Sequence, residues 1–232
     1  MDNSEARRGP DSGERLRGTM GDTHPKSGYL RQAWLVILLA LVYGGALAGV
    51  QSTLSGKIAE NKKDETYSVI PSLVSGADEA KTVELVVEGK NGKEARVYKA
   101  IGADGSHKGW VVPAGGQGFA DRIEVLIGLD RSLATLTGLY VLDQKETPAL
   151  GDRITEATFR DRFRGKPADR PTVMVKSEPE ADNEVRALTG ATISSESVSA
   201  IVNETLANLR EPIRQTSQGS APAAGDSGDT TG

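Results

Sequence analysis

The sequence predicts an α+β domain carried behind one apolar helix. Three observations predict it. A charge-free apolar run occupies residues 33–50, several short alternating runs follow it between turn signals, and an amphipathic helical segment closes the patterned part. Strands and helices do not alternate as regular βαβ units, which favours α+β over a doubly wound sheet. At 232 residues the chain has room for one ordinary domain with appendages.

Composition excludes whole classes of chemistry. Lys and Arg number 28 against 32 Asp and Glu, a net charge of −4. No clustered basic face is visible, so nucleic acid is not expected as a partner. There is no cysteine, which excludes iron–sulfur clusters, thiolate zinc sites and disulfides within the chain. The two histidines, His24 and His107, cannot build a histidine-rich metal site. Redox work by this chain therefore requires an organic cofactor.

Residues 1–30 are rich in Gly, Ser, Asp and Arg without apolar periodicity and read as a disordered cytoplasmic tail. The anchor is placed at 31–54. Its 22 residues from Ala33 to Leu54 would make a helix about 33 Å long, against about 30 Å of hydrocarbon. Trp34 and Arg31 suit the interface at its start. Ala46-Leu47-Ala48 resembles a signal-peptidase site, but the long preceding tail and the length of the run favour an uncleaved single-pass anchor. Arg15, Arg17, Lys26 and Arg31 before the span, against Lys57, Lys62 and Lys63 after it, put the C-terminal part outside the cytoplasm.

Residues 55–81 read as a polar connector, helical early on from Gly56 to Glu65, and 82–212 as the domain. Within it, Thr82–Val87 and Ala95–Ile101 flank a Lys90-Asn91-Gly92 turn as a β-hairpin. Arg122–Leu129 reads as a half-buried strand with Ile123, Val125, Ile127 and Leu129 on one face, paired with Ala134–Leu142. Thr155–Phe163 has helical spacing and Pro171–Lys176 is a short strand. The stretch Gly115-Gly116-Gln117-Gly118 lacks a nucleotide fingerprint and reads as a turn. Val198, Ile201, Val202, Leu206 and Leu209 form one helical stripe over Ser194–Leu209, which Pro212 is expected to end. A second disordered tail covers 213–232.

The chemically informative segment precedes that helix: Leu188-Thr189-Gly190-Ala191-Thr192-Ile193-Ser194-Ser195. Small residues here let a ligand approach the backbone, and the free amides of a helix start attract an anion such as phosphate. On local chemistry alone the hydroxyls of Thr192, Ser194 and Ser195 read first as ordinary N-caps, ahead of a ligand site.

The stretch LTGATISSESV resembles the S/T-G-A-T flavinylation motif of the FMN-binding domain shared by the G subunit of the Rnf electron-transport complex and the C subunit of the sodium-pumping NADH:quinone reductase. Upstream, Lys145-Glu146-Thr147-Pro148-Ala149-Leu150-Gly151-Asp152 is similar to that family's ETPGLG segment. Gly118-Phe119 followed by Ile123–Gly128 is similar to its glycine-aromatic turn and strand. Motif order, spacing and the single N-terminal span agree over roughly residues 30–212. The sequence departs from the pattern at Arg186, where the family often has an acid, and at Ala149, where it has glycine.

The resemblance implies a single FMN-binding domain with FMN esterified to Thr192 by a flavin transferase. Thr189, Gly190, Ala191, Ser194, Ser195, Glu146, Thr147, Leu150 and Gly151 would surround the cofactor. It implies an electron-transfer subunit, non-catalytic alone, whose partners are the other subunits of an ion-translocating complex in the bacterial cell membrane. Two other readings stay open at this point: a flavin-free extracytoplasmic binding or scaffold module, and an FMN domain serving another membrane reductase. Among the remaining residues, His107 reads as a surface or capping histidine, Trp110 as core, and Arg160, Arg162 and Arg164 as a solvated face.

Overall fold

A computed structural model describes the backbone of residues 26–219 and the side chains of residues 33–217. Most of the N-terminal tail (1–25, including His24) and of the C-terminal tail (220–232) therefore lies outside the described residues. Helix α1 spans Lys26–Leu73, and the chain divides within it, after Ser55, into two compact units.

In the first unit, α1 is a bare apolar rod. Its best window has a mean hydropathy of 2.2 and none of it is buried. Trp34, Leu35, Val36, Ile37, Leu38, Leu39 and Leu41 are all about half exposed or more. A surface of this kind is stable in hydrocarbon and not in water, so this is an apolar helix long and exposed enough to cross a membrane.

In the second unit, five strands form an antiparallel meander in the order β1-β2-β3-β4-β5: β1 Val83–Glu88, β2 Glu94–Ile101, β3 His107–Gln117, β4 Arg122–Asp130 and β5 Leu136–Asp143. A short helix α2 (Ala157–Arg160) sits between 3-10 turns at Gly151–Thr155 and Asp161–Phe163. Strands β6 (Val173–Val175) and β7 (Glu184–Arg186) pair in parallel, and helix α3 runs Thr192–Gly219. Helices on an antiparallel sheet make the domain α+β, as the sequence predicts.

Both faces of the sheet are covered. On one face, Val198, Ile201, Val202, Leu206 and Leu209 of α3 join Val112, Ile123, Val125, Ile127, Phe159 and Phe163 in the main core. On the other, Ile70 and Leu73 of α1 pack with Tyr98, Val111 and Leu126. The expected half-buried strand at Arg122–Leu129 is therefore buried on both faces: Leu126, on the face expected to meet water, is 0% exposed under α1.

That covering changes the connector. Helix continues unbroken to Leu73 instead of stopping near Glu65, because its last turns have a sheet to bury against. Thr66 is buried there, Lys62 Nζ lies 2.8 Å from Glu124 and 2.7 Å from Asp143, and the Tyr140 hydroxyl donates to Glu65 at 2.8 Å.

Two further expectations are corrected. Gly115, Gly116 and Gln117 form no turn but the end of central strand β3, paired with Glu124, Ile123 and Arg122. A Cβ on Gly116 would come within 2.7 Å of Ile201, so glycine is what lets α3 lie on the strand. Pro212 does not end α3 either. Proline at this position removes the bond to the carbonyl of Asn208, four residues back. That carbonyl instead accepts the Lys90 amide at 3.2 Å, while Asn208 Oδ1 accepts the Asn91 amide at 2.9 Å. The β1–β2 turn thus satisfies the gap, and α3 runs on to bury Ile213.

The β4–β5 turn is held by one carboxylate. Asp130 accepts the amides of Ala134 (2.7 Å), Thr135 (2.8 Å) and Ser132 (3.3 Å) and the Ser132 hydroxyl, around Leu133 at φ 59°. Burial opposes its charge, but these donors outweigh that and hold its pKa below the ordinary value. A depressed folded pKa gives stability that is present above the unfolded value and lost as pH falls through the folded one. Asp130→Asn should therefore flatten the acid limb of stability. Urea midpoints followed from about pH 5 to about pH 2 would check it.

Candidate functional site

The start of α3 meets two turns at one end of the domain. Phe119, Thr147, Leu150, Gly151, Gly190, Ala191, Thr192, Ile193 and Ser194 line an open cleft of about 310 Å³. None of these residues is charged. Three of the large apolar ones face solvent: Phe119 is 59% exposed, Ile193 54% and Leu150 47%. Exposed apolar side chains gathered on one cleft mark a binding place with apolar walls.

The backbone supplies the complementary feature. Ala191 occupies the N-cap position of α3, its carbonyl accepting the Ser195 amide at 3.0 Å. Alanine has no side-chain oxygen, so the capping reading of the three hydroxyls does not hold. Ser195 Oγ instead donates back to the Ala191 carbonyl at 2.8 Å and accepts the Leu188 amide at 3.0 Å. Ser194 Oγ donates to Glu146 at 2.6 Å. The amides of Thr192, Ile193 and Ser194, and the half-buried Thr192 hydroxyl, have no partner among the described residues. An uncapped 28-residue helix therefore opens beside the apolar cleft, where its dipole favours an anion.

Seven of the ten sequence-selected residues line the cleft: Thr147, Leu150, Gly151, Gly190, Ala191, Thr192 and Ser194. Three do not. Thr189 is exposed but off the lining, Ser195 is buried in its local bonds, and Glu146 is buried behind the wall at 5% exposure. Two lining residues escaped selection. Phe119 stands in the glycine-aromatic turn and Ile193 within the segment 188–195; the available signal was an apolar side chain beside glycine and hydroxyls, with no strand or helix stripe to use it.

The two departures from the family pattern fall in different places. Arg186 points away from the cleft: it pairs with Glu178, and its carbonyl accepts Arg162 Nη1 at 2.7 Å. Arg162 also lies over the Phe159 ring and Arg160 over Tyr140, so these two do more than face water. Ala149 matters more. It sits at φ 61° in a turn where the Thr147 carbonyl accepts the amides of Leu150, Gly151 and Asp152. A left-handed alanine costs about 1–2 kcal/mol, against about 0.5–1 kcal/mol of extra chain entropy for glycine. Ala149→Gly should raise stability by roughly 0.5–1 kcal/mol, seen as a higher urea midpoint at unchanged slope.

Comparison with known proteins gives the chain a family. Residues 118–207 match the model of the FMN-binding domain. The G subunit of the Na(+)-translocating ferredoxin:NAD(+) oxidoreductase complex of Acetobacterium woodii is 31% identical over 179 residues, 73% of this chain and 86% of the relative. The G subunit of the ion-translocating oxidoreductase complex of Methanosarcina acetivorans is 30% identical over 161 residues, 69% and 79% respectively. The chain belongs to the G-subunit family of ion-translocating oxidoreductase complexes. Among solved structures, Shewanella oneidensis NqrC aligns with a TM-score of 0.49 and 23% identity over 55% of this chain and 63% of that one.

The cleft fits the cofactor for which the family's domain is named. FMN combines a flat, largely apolar ring system with an anionic phosphate. Phe119, Leu150 and Ile193 offer the apolar surface, and the uncapped start of α3 offers the amides.

Proposed function

We propose that this chain is the FMN-carrying electron-transfer subunit of a membrane-bound, ion-translocating oxidoreductase complex, with FMN joined to Thr192 by a phosphoester. The observation that carries this reading is the hydroxyl of Thr192 at the first position of an uncapped helix, on the lining of an apolar cleft. Under a flavin transferase, Thr192 Oγ1 would attack the FMN phosphorus of a flavin phosphoanhydride donor. The new P–O ester bond forms as the anhydride P–O bond breaks, the departing phosphate keeps that electron pair, and the threonine proton goes to a base.

When bound, the flavin supplies the electron-accepting and electron-donating chemistry. The chain's own residues do the rest. Thr192, Ile193 and Ser194 would present amides to the phosphate, and Phe119, Leu150 and Ile193 would hold the ring system against solvent. Apolar helix α1 would anchor the chain in the bacterial cell membrane, and the charge flanking the span favours a domain outside the cytoplasm. A tether suits that location, because a dissociable cofactor is lost there by dilution. The other subunits of the complex would deliver and collect the electrons.

The full chain produced together with a flavin transferase should show a fluorescent band under ultraviolet light after denaturing electrophoresis. A non-fluorescent band, from a host in which a known flavinylated protein is modified, would overturn the reading.

A further inference from the structure

Glu146 lies outside the cleft, yet three segments that form the cleft close around it. Its Oε2 accepts the Ser194 hydroxyl at 2.6 Å, from the first turn of α3. Its Oε1 accepts the Ala120 amide at 3.1 Å, from the turn that carries Phe119. Its own amide donates to Gln144 Oε1 at 2.6 Å at the head of the third segment. The fit leaves no slack. A Cβ on Gly118 would come within 2.2 Å of Oε1, and one on Gly151 within 2.9 Å of both Oε2 and Ser194 Oγ.

Phe119 needs such a restraint. Its ring is 59% exposed, so packing alone does not fix it. The turn beneath it is held by the Gly118 amide on the Asp121 carbonyl at 2.8 Å and by the Ala120 amide on Glu146. A buried carboxylate is costly unless hydrogen-bonded, and here both oxygens have a donor.

We propose that Glu146 is a positioning residue: by gripping Ser194 and the Ala120 amide at once, it sets the Phe119 turn against the start of α3 and so fixes the width and shape of the flavin cleft. This rests on the flavin reading for its consequence, but the grip itself is testable without flavin. Glutamine can accept the Ala120 amide through Oε1 and donate to Ser194 Oγ through its NH₂ group, so it preserves the geometry without the charge. Alanine removes both bonds.

The chain has three phenylalanines, two of them, Phe159 and Phe163, fully buried. Fluorine NMR of the flavin-free protein labelled with fluorophenylalanine therefore isolates the exposed Phe119. Its signal should keep a distinct shift in wild type and Glu146→Gln and collapse toward the free-residue position in Glu146→Ala, while both buried signals persist. In parallel, the rate of flavin attachment should fall about tenfold or more in Glu146→Ala, the order expected when hydrogen bonds to a charged group are lost, with recovery in Glu146→Gln. Should Glu146→Ala lose the two buried signals as well, Ser194→Ala cuts the grip at one end and should still shift the Phe119 signal. An unmoved Phe119 signal in the folded variant overturns the proposal whatever the flavin does. A Glu146→Gln variant as impaired as Glu146→Ala overturns it too, since charge and not position would then matter. Failure of wild type to take up flavin, with the Phe119 shifts as expected, would instead sink the Thr192 reading alone.

Discussion

Thr192→Ala is expected to abolish covalent flavin while leaving the domain folded. The side chain is half-buried and has no hydrogen-bond partner among the described residues, so its truncation removes little that holds the fold together. Alanine is also the better helix former, and the change in stability should stay within about 0.5 kcal/mol. The loss of attachment should nevertheless be complete, because no neighbouring hydroxyl can substitute. Ser194 Oγ is committed to Glu146 and Ser195 Oγ to the Ala191 carbonyl, both buried, and Thr189 lies off the cleft lining. Thr192→Ser keeps an oxygen at the same position and should restore attachment. Absorbance of the denatured, desalted protein reads the flavin, and urea unfolding reads the stability. Flavin persisting in Thr192→Ala would place the ester elsewhere.

Phe159→Ala should do the opposite. Phe159 is fully buried, meets Phe163 edge-to-face at a centroid distance of 5.5 Å, and lies under the Arg162 guanidinium. Truncating such a ring costs about 3–5 kcal/mol through lost transfer energy and the cavity left behind. Against a typical net stability of about 5–15 kcal/mol, that is a large fraction. The urea midpoint should drop sharply, yet flavin attachment at low temperature should survive in the folded fraction, since Phe159 does not line the cleft. A variant with unchanged midpoint would mean that the short-helix segment 151–163 contributes far less to the core than its burial indicates. The two substitutions thus separate chemistry from stability.

Much of this was legible in the sequence, and what was not has physical reasons. The α3 stripe and the β1–β2 hairpin were readable because local periodicity there coincides with the tertiary packing, whereas β4 was readable as a strand but not as one buried on both faces. The end of β3 was not. Glycines at 115 and 116 look like a turn unless the helix lying on them is known. Helix ends misled for the same reason. Beyond Leu209 a proline argues for a stop, and only the Lys90 amide waiting at the Asn208 carbonyl explains continuation. The polar stretch of α1 beyond Ser55 looked like a connector because its apolar residues are spaced for one sheet face only.

At the site, the residues selected from the segment 188–195 mostly gather on one cleft, but their hydrogen bonds sorted only in three dimensions. Serines that looked like caps turned out to bond a carbonyl and a carboxylate, leaving alanine at the cap position. Glu146, selected as a cofactor contact, stands behind the wall. Phe119 and Ile193 were passed over because exposure of an apolar side chain cannot be read from its own sequence neighbours.

Mass spectrometry of one tryptic peptide tests the central claim most directly. Cleavage after Arg186 and after Arg210 releases residues 187–210, with no internal Lys or Arg and with Thr189, Thr192, Ser194 and Ser195 inside. From protein made alongside its flavin transferase, this peptide should carry the mass of FMN less one water, and fragmentation should localise it to Thr192. Recovery of the peptide only in its unmodified form would contradict the account.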